Sequence, residues 1–223
     1  MTTISREFQI FAKPVGPICN LNCSYCYYLD KQNLYPDTGH FLMTDDILEK
    51  YIVKQIQASP ESMINFSWHG GEPFLAGIDF FKKVRRLQSV HIPAGKTIVN
   101  GIQTNGTLTN DEWCRFLSEE GFIIGISIDG PAELHNIYRR TKDDSTTCEK
   151  VIRGFQLLKK HAIVPEILCV VMMRMSNILL LSTTFSNNWE QDILHLSLLS
   201  NLNQVHLQGL AENQFLLKNS DYS

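Results

Sequence analysis

The sequence predicts an α/β fold built on a parallel sheet, and two features of the chain support this. Apolar runs of strand length alternate with segments of helical spacing, as in repeated βα units. Polar or glycine-rich stretches directly follow several of these runs, which is typical of binding sites at the carboxyl ends of parallel strands. Right-handed crossovers would curl such a sheet toward an open or closed barrel.

The predicted elements occupy the first 171 residues in alternating order. Strands are expected at residues 8–12, 64–68, 97–103, 123–128 and 166–171. Helices are expected at residues 45–58, 78–87, 111–120 and 147–158. Asn110 and Asp111 stand just before an amphipathic stretch, which predicts an N-terminal cap for the third helix.

Composition and charge restrict the class of protein. Hydrophobic residues make up 43% and charged residues 19% of the chain, as in ordinary globular proteins. A net charge of −3 gives no reason to expect nucleic acid or an anionic membrane as the main partner. The amino terminus lacks the apolar core of a signal peptide, and no apolar run approaches the roughly 20 residues that cross a bilayer. We therefore expect a reducing, cytoplasmic location.

Three of the six cysteines, Cys19, Cys23 and Cys26, crowd into eight residues after the first predicted strand. Thiolates suit iron–sulfur clusters or zinc. Three of them in one loop can hold one face of a cubane cluster and leave its fourth iron open to a substrate or cofactor, whereas most electron-transfer clusters use four. A structural zinc site needs four ligands, and the nearest candidate, His40, lacks any paired spacing. The other cysteines are expected to be ordinary buried thiols.

Further motifs accompany the cysteine loop along the chain. They read Lys-Pro at 13–14, Cys-Tyr-Tyr-Leu at 26–29, Trp-His-Gly-Gly-Glu-Pro at 68–73, Gln-Thr-Asn-Gly-Thr at 103–107, Asp-Glu-Trp-Cys at 111–114, Ser-Ile-Asp-Gly-Pro at 127–131 and Ile-Leu-Cys-Val-Val at 167–171. Together they resemble the anaerobic sulfatase-maturating enzymes of the radical S-adenosylmethionine (SAM) superfamily. The resemblance implies an incomplete (β/α)6 partial barrel formed by residues 1–171.

The resemblance also implies two cofactors. A [4Fe–4S] cluster would be held by Cys19, Cys23 and Cys26, and SAM would chelate the open iron through its amino and carboxylate groups. An electron from the cluster would then cleave SAM to methionine and a 5′-deoxyadenosyl radical. The cofactors carry the difficult chemistry, and the protein positions and shields them.

Several residues that follow the cysteine loop resemble the family's SAM-binding positions. Gly70-Gly71-Glu72 resembles the motif that meets the SAM amino group, where glycines allow close backbone approach and a carboxylate complements an ammonium. Ser127 and Arg139 resemble the pair that holds the SAM carboxylate, for which the planar guanidinium is suited. Arg140 is the adjacent alternative to Arg139.

Four other residues complete the set implied by the resemblance. Gln103 and Asn105 are expected on the ribose side of SAM. Tyr25, the aromatic residue before the third cysteine, is expected near the adenine. His69 either contacts the substrate or is a structural histidine, and the sequence leaves both readings open.

Enzymes of the family oxidise a Cys or Ser of a sulfatase to formylglycine, which implies a sulfatase polypeptide as partner. A reduced flavodoxin- or ferredoxin-type protein would donate the electron. No catalytic base is assigned here, because the family's base is an Asp far downstream, near the cysteines of two auxiliary clusters. The alternatives are another peptide-modifying radical SAM enzyme, such as a thioether or quinone-cofactor maturase, and a non-catalytic iron–sulfur remnant.

Residues 172–223 differ in character from the rest of the chain. They contain no proline or cysteine, and leucine, serine and asparagine make up half of them. Restoring one base after the codon of Val171 lets residues 185–193 decode as a helix end, a glycine cap and a strand start, which resembles the family's next βα unit. We therefore expect an out-of-frame tail, poorly packed or disordered, on a truncated and impaired enzyme whose last strand keeps an unpaired edge.

Overall fold

A computed structural model describes residues 9–34, 41–170 and 194–195. Its centre is a parallel sheet with six strands in sequential order. They are β1 (Phe11–Ala12), β2 (Met63–Trp68), β3 (Thr97–Thr104), β4 (Ile123–Ser127), β5 (Glu166–Leu168) and β6 (Leu194–His195). The predicted α/β class and the parallel sheet are confirmed.

In the described part of the chain, five α-helices lie between β1 and β5. They are α1 (Asp45–Ala58), α2 (Ile78–His91), α3 (Asp111–Glu119), α4 (Ala132–Tyr138) and α5 (Cys148–Lys160), with 3-10 turns at Lys31–Leu34 and Pro73–Ala76. Asn110 caps α3 as predicted, because its Oδ1 accepts a 2.9 Å hydrogen bond from the Trp113 N–H. The sequence did not predict α4, since a helix of seven residues is too short to show apolar periodicity. Within the described residues, no helix has the length and apolar character needed to cross a membrane.

The main core lies between the outer face of the sheet and the helices. Trp68 of β2 is buried there, and its ring meets Tyr51 of α1 at 5.7 Å and Phe80 and Phe81 of α2 at 6.0 and 5.8 Å. Each fully buried large apolar side chain of this kind stabilises the fold by about 1.5–3 kcal/mol. This core fixes β2 and β3, whose carboxyl ends carry several of the predicted site residues.

Toward the carboxyl ends of the strands, the inner face of the sheet carries small or polar side chains instead. Ser67, Gly101, Gln103, Gly125 and Ser127 alternate with the buried outward residues of β2, β3 and β4. The inner face is therefore open. At the amino ends of the strands it leads into a cavity of about 610 Å³ lined by residues such as Met63, Asn65 and Ile123.

The edge of the sheet at β5 differs from the expectation. Ile167 pairs with Leu194 and Leu168 pairs with His195 in parallel register. The expectation of an unpaired edge on β5 is therefore corrected at these two positions. Apart from residues 194–195, the expected poor packing of 172–223 lies outside the described residues.

Candidate functional site

The predicted site residues come together at the carboxyl ends of the strands. The cysteine loop follows β1, Gly70-Gly71-Glu72 follows β2, and Asn105 follows β3. Ser127 is the last residue of β4, and Arg139 follows α4. Because neighbouring parallel strands end at the same edge of a sheet, segments far apart in the chain face one another there.

The turn at Gly70 and Gly71 packs against the cysteine loop. Gly71 has a φ of +57°, and a Cβ at this position would lie 2.2 Å from the carbonyl oxygen of Ile18. The N–H of Glu72 donates a 2.8 Å hydrogen bond to the same oxygen. Gly71 is therefore required for contact with the protein's own backbone, whereas the sequence had suggested only an approach to a ligand.

The carboxylate of Glu72 is fully buried and bound by the protein. It accepts hydrogen bonds from the N–H of Phe74 at 3.0 Å, the hydroxyl of Thr104 at 2.7 Å and the N–H of Asn105 at 2.8 Å. Burial raises the pKa of Glu72, and these donors oppose the rise. The side chain thus organises the turn after β3, and its contact with the SAM amino group stays a prediction.

The three loop cysteines lie within electrostatic reach of one another. Burial raises the pKa of Cys23 to about 12, the Arg139 charge opposes this, and Cys19 and Cys26 add to it. Burial also raises the pKa of Cys19. A site that deprotonates these thiols must supply positive charge, as the irons of a cluster do.

Ligands of a single metal ion converge on one point. In the part of the chain that the structure describes, no three His, Cys, Asp or Glu side chains are grouped closely enough to hold one ion. Thiolates on three corners of a cubane each bind a different iron, so their sulfurs stand farther apart. Three thiols in one loop, near enough to affect one another's pKa, have the donor chemistry that such a cluster needs.

Asp129 links the cysteine loop to Arg139. Its Oδ2 accepts hydrogen bonds from the Tyr25 hydroxyl at 2.6 Å and from Arg139 Nε at 2.7 Å, and its Oδ1 accepts one from the Val170 N–H at 3.0 Å. Burial lowers the pKa of Arg139, but the Asp129 carboxylate, Tyr25 and Cys23 together oppose burial, and the net effect is a raised pKa. The sequence analysis did not assign Asp129 to the site. Its position, an acidic residue just after the end of β4, could have indicated such a role.

His135 supports the same region from α4. Its Nδ1 accepts a 3.2 Å hydrogen bond from the Asp129 N–H, and its Nε2 lies 3.1 Å from the Thr147 hydroxyl oxygen. The Thr147 hydroxyl in turn donates to the carbonyl oxygen of Arg139 at 2.7 Å. Since the backbone N–H can only donate, Nδ1 is unprotonated and the proton is on Nε2. Burial lowers the pKa of His135 to about 4, so the ring is neutral near pH 7.

The two candidate arginines differ in burial and in hydrogen-bond partners. Arg139 is 6% exposed and its guanidinium stacks on the Tyr25 ring at 5.5 Å. Arg140 is a partly exposed surface residue whose Nη1 donates to the carbonyl oxygen of Asp144 at 2.8 Å. Only Arg139 therefore belongs to the cluster of site residues.

Ser127 and Gln103 form a second polar pair at the sheet edge. Gln103 Nε2 donates a 3.0 Å hydrogen bond to Ser127 Oγ. A Cβ on Gly125 would lie 2.1 Å from Gln103 Oε1, so this glycine lets the glutamine lie across β4. The carboxylate and ribose roles of these two residues stay predictions.

His69 lies near the β1–β2 edge of the site. Its ring contacts the Phe11 ring edge-on, with 5.5 Å between the ring centroids. Burial lowers the pKa of His69, and the Lys13 charge lowers it further. Both hypotheses for His69, substrate contact and a structural role, stay predictions.

Comparison with known proteins identifies the family. Residues 14–178 match the model of the Radical SAM superfamily. The chain belongs to the radical SAM superfamily. The cofactor expectation, a [4Fe–4S] cluster with SAM, is thereby confirmed at the level of the family.

Two curated relatives are sulfatase-maturating enzymes. The serine-type anaerobic sulfatase-maturating enzyme of Bacteroides thetaiotaomicron is 44% identical over 167 residues, which are 75% of this chain and 40% of that protein. The cysteine-type enzyme of Clostridium perfringens is 39% identical over 163 residues, 73% of this chain and 44% of that protein. This radical SAM chain thus spans less than half the length of these two relatives.

A solved structure supports the same relationship. Native anSMEcpe with bound AdoMet and the Kp18Cys peptide superimposes with a TM-score of 0.76 at 35% identity, covering 83% of this chain and 49% of that one. The partial-barrel fold and the resemblance to sulfatase-maturating enzymes are therefore confirmed.

Proposed function

We propose that this chain holds a [4Fe–4S] cluster on Cys19, Cys23 and Cys26 and cleaves SAM at the open iron. The end reaction is oxidation of a Cys or Ser of a sulfatase polypeptide to formylglycine, with a reduced flavodoxin- or ferredoxin-type donor. When bound, the cluster and SAM supply a hydrogen-abstracting radical. Chemistry of this kind, which depends on free thiols, suits a reducing cytoplasm.

One observation carries the proposal: a buried guanidinium lies beside a three-cysteine loop. The Arg139 charge acts on Cys23, and Asp129 holds its Nε, as described above. Among the described residues its guanidinium hydrogen-bonds through Nε alone, which leaves terminal N–H groups for a carboxylate. SAM bound through its carboxylate at a cluster needs such a cation at this place.

The open inner face supports a substrate that enters the barrel. Ser67 and Gly101 leave space beside Gln103 and Ser127, where larger side chains would fill the sheet's concave side. A peptide side chain needs such room to approach the carbon atom of bound SAM that becomes reactive. The relatives of both the serine and the cysteine type make peptides of both kinds the substrates to test.

Residues 1–171 carry the cluster and SAM positions. The family's base and auxiliary clusters belong to the part of the relatives that this chain does not match. We therefore expect residues 1–171 to support SAM cleavage more readily than peptide oxidation. A version with the reading frame restored after Val171 is expected to recover the second activity.

The test is an anaerobic assay of the reconstituted chain and of its frame-restored version. We expect release of 5′-deoxyadenosine after reduction with dithionite, and formylglycine in a sulfatase-derived Cys or Ser peptide, read by mass spectrometry. Cys19→Ala is the control and should abolish both products. Release of 5′-deoxyadenosine by the restored protein without formylglycine in either peptide would contradict the sulfatase assignment and favour another peptide-modifying maturase. Bound iron without SAM cleavage would indicate a folded, inactive remnant.

A further inference from the structure

Asn105 lies directly against the first cluster cysteine. Its side-chain Nδ2 is 3.6 Å from Cys19 Sγ, and the backbone N–H of Leu21 is 3.3 Å from the same sulfur. Both distances lie within hydrogen-bond range for a sulfur acceptor. Two N–H groups therefore point at the sulfur of one prospective cluster ligand.

The orientation of the Asn105 amide follows from its neighbours. The backbone N–H of Thr107 lies 3.0 Å from one end of the amide, and because an N–H can only donate, that end is the oxygen. The NH2 group must then be the end that faces Cys19. The usual ambiguity between the two ends of an asparagine side chain is thus removed.

A closed ring of three side chains holds this amide in place. Asn105 Nδ2 donates to Asn20 Oδ1 at 2.9 Å, Asn20 Nδ2 donates to Thr107 Oγ1 at 2.8 Å, and the Thr107 hydroxyl donates to Asn105 Oδ1 at 2.7 Å. Each member both donates and accepts, so no amide can flip without breaking the ring. Asn105 and Thr107 are also buried, at 7% and 8% exposure.

The two hydrogens of the Asn105 NH2 group therefore have separate partners. One goes to Asn20, and the other goes to Cys19. The Asn105 backbone is held independently, because its N–H donates to the buried carboxylate of Glu72. The arrangement is preorganised by protein contacts alone.

We propose that Asn105 tunes the redox state of the cluster by donating an N–H···S hydrogen bond to the Cys19 ligand. The inference rests on the cluster proposed above and gives Asn105 a role other than contact with the SAM ribose. A donor stabilises the reduced cluster more than the oxidised one, because reduction adds negative charge to the sulfurs. The hydrogen bond therefore makes the cluster easier to reduce.

The test is the midpoint potential of the cluster in the full chain, measured without SAM by a redox titration followed by electron paramagnetic resonance (EPR). For Asn105→Ala we expect a more negative midpoint potential. At a fixed solution potential, the ratio of reduced to oxidised cluster should fall about fivefold, because that is the effect of losing one ordinary hydrogen bond. Asn105→Asp replaces the donor by a charged acceptor, so its shift should have the same sign and be larger.

Two variants of Thr107 serve as matched controls. Thr107→Ser keeps the hydroxyl and should leave the potential unchanged. Thr107→Val breaks the ring but keeps the backbone donor to Asn105, so its negative shift should be smaller than that of Asn105→Ala. If Asn105→Ala fails to fold, the comparison of Thr107→Val with Thr107→Ser still decides the question.

The sign of the shift separates tuning from a loosened structure. Water admitted to the cluster stabilises the added charge of reduction and moves the potential in the positive direction. An unchanged or more positive potential in Asn105→Ala, with iron content equal to wild type, would overturn the role of Asn105 but not the proposed function. Failure of the wild-type chain to take up iron would instead overturn the proposed function on which it rests.

Discussion

Arg139 donates a 2.7 Å hydrogen bond from its Nε to Asp129 Oδ2, and both residues are buried beside the cysteine loop. Burying two charges costs several kcal/mol per ion unless further hydrogen bonds compensate. The Tyr25 hydroxyl and the Val170 N–H supply these bonds to Asp129. The pair therefore fixes the guanidinium in one position next to the predicted cluster.

This arrangement predicts that Arg139, and not Arg140, binds the SAM carboxylate. Arg139→Lys keeps the charge beside Asp129 but loses the planar fork, so we expect the affinity of the reconstituted protein for SAM to fall about tenfold. Equilibrium dialysis with labelled SAM measures the affinity, and iron content monitors the cluster. Arg140→Lys is the matched control and should bind as wild type. An equal loss in both variants would argue against the assignment.

The neutral His135 predicts a pH dependence of stability. Its pKa is lowered from 6.5 to about 4 by burial and by the Arg139 charge, with Asp129 opposing. Because the folded-state pKa lies below the unfolded one, the stability that His135 contributes is present above pH 6.5 and is lost as the pH falls toward 4. Between pH 7 and pH 5 this loss amounts to about 2 kcal/mol.

Urea unfolding at pH 7 and pH 5 checks this contribution. His135→Asn retains an acceptor for the Asp129 N–H but cannot titrate, so its stability should fall less between the two values than that of the wild type. His161→Asn, at the end of α5, changes a partly exposed histidine and is the control. The same pH dependence in wild type and His135→Asn would refute the prediction.

Gly71 should tolerate no side chain. Gly71→Ala would place a Cβ 2.2 Å from the Ile18 carbonyl oxygen at a φ of +57°, so the turn must separate from the cysteine loop. We expect a loss of about 3 kcal/mol or more in the free energy of unfolding, together with reduced iron uptake.

Gly95 offers the matched control for this substitution. It also has a positive φ, of +80°, but a Cβ there would meet nothing within 4 Å. Gly95→Ala should therefore lower the free energy of unfolding only by the backbone strain, about 1–2 kcal/mol, and leave iron uptake unchanged. Equal losses in the two variants would show that the close approach to Ile18 is unimportant.

The composition change after Val171 predicts a frame change in the gene. Every proline of the chain precedes residue 172, and charged residues become sparse beyond it. The nucleotide sequence from codon 165 to several hundred bases past codon 223 should encode, in another frame, a cysteine-rich continuation. A gene without such a continuation would mean that residues 172–223 are a genuine tail.

Local patterns predicted most of the fold and indicated the three candidate cluster ligands, whose role stays a prediction. The strands β2 and β4 were recognisable because apolar side chains alternate or run together over five or more residues, and the Cys19–Cys26 spacing is a local signal. The supporting contacts were not predictable in this way. Asp129 meets Tyr25 across 104 positions of sequence, and Asn105 meets Asn20 across 85. Such partners are set by which strand ends are neighbours, and no local pattern encodes them.

The iron content of the anaerobically reconstituted chain and its cysteine variants tests the proposed cluster directly. We expect about four irons per chain in the wild type, and an EPR spectrum of the reduced cluster that changes when SAM is added. Cys19→Ala, Cys23→Ala and Cys26→Ala should each lose the cluster, whereas Cys148→Ala, which changes a buried thiol at the start of α5, should retain it. Zinc in place of iron, or a cluster that survives all three substitutions, would contradict the central claim.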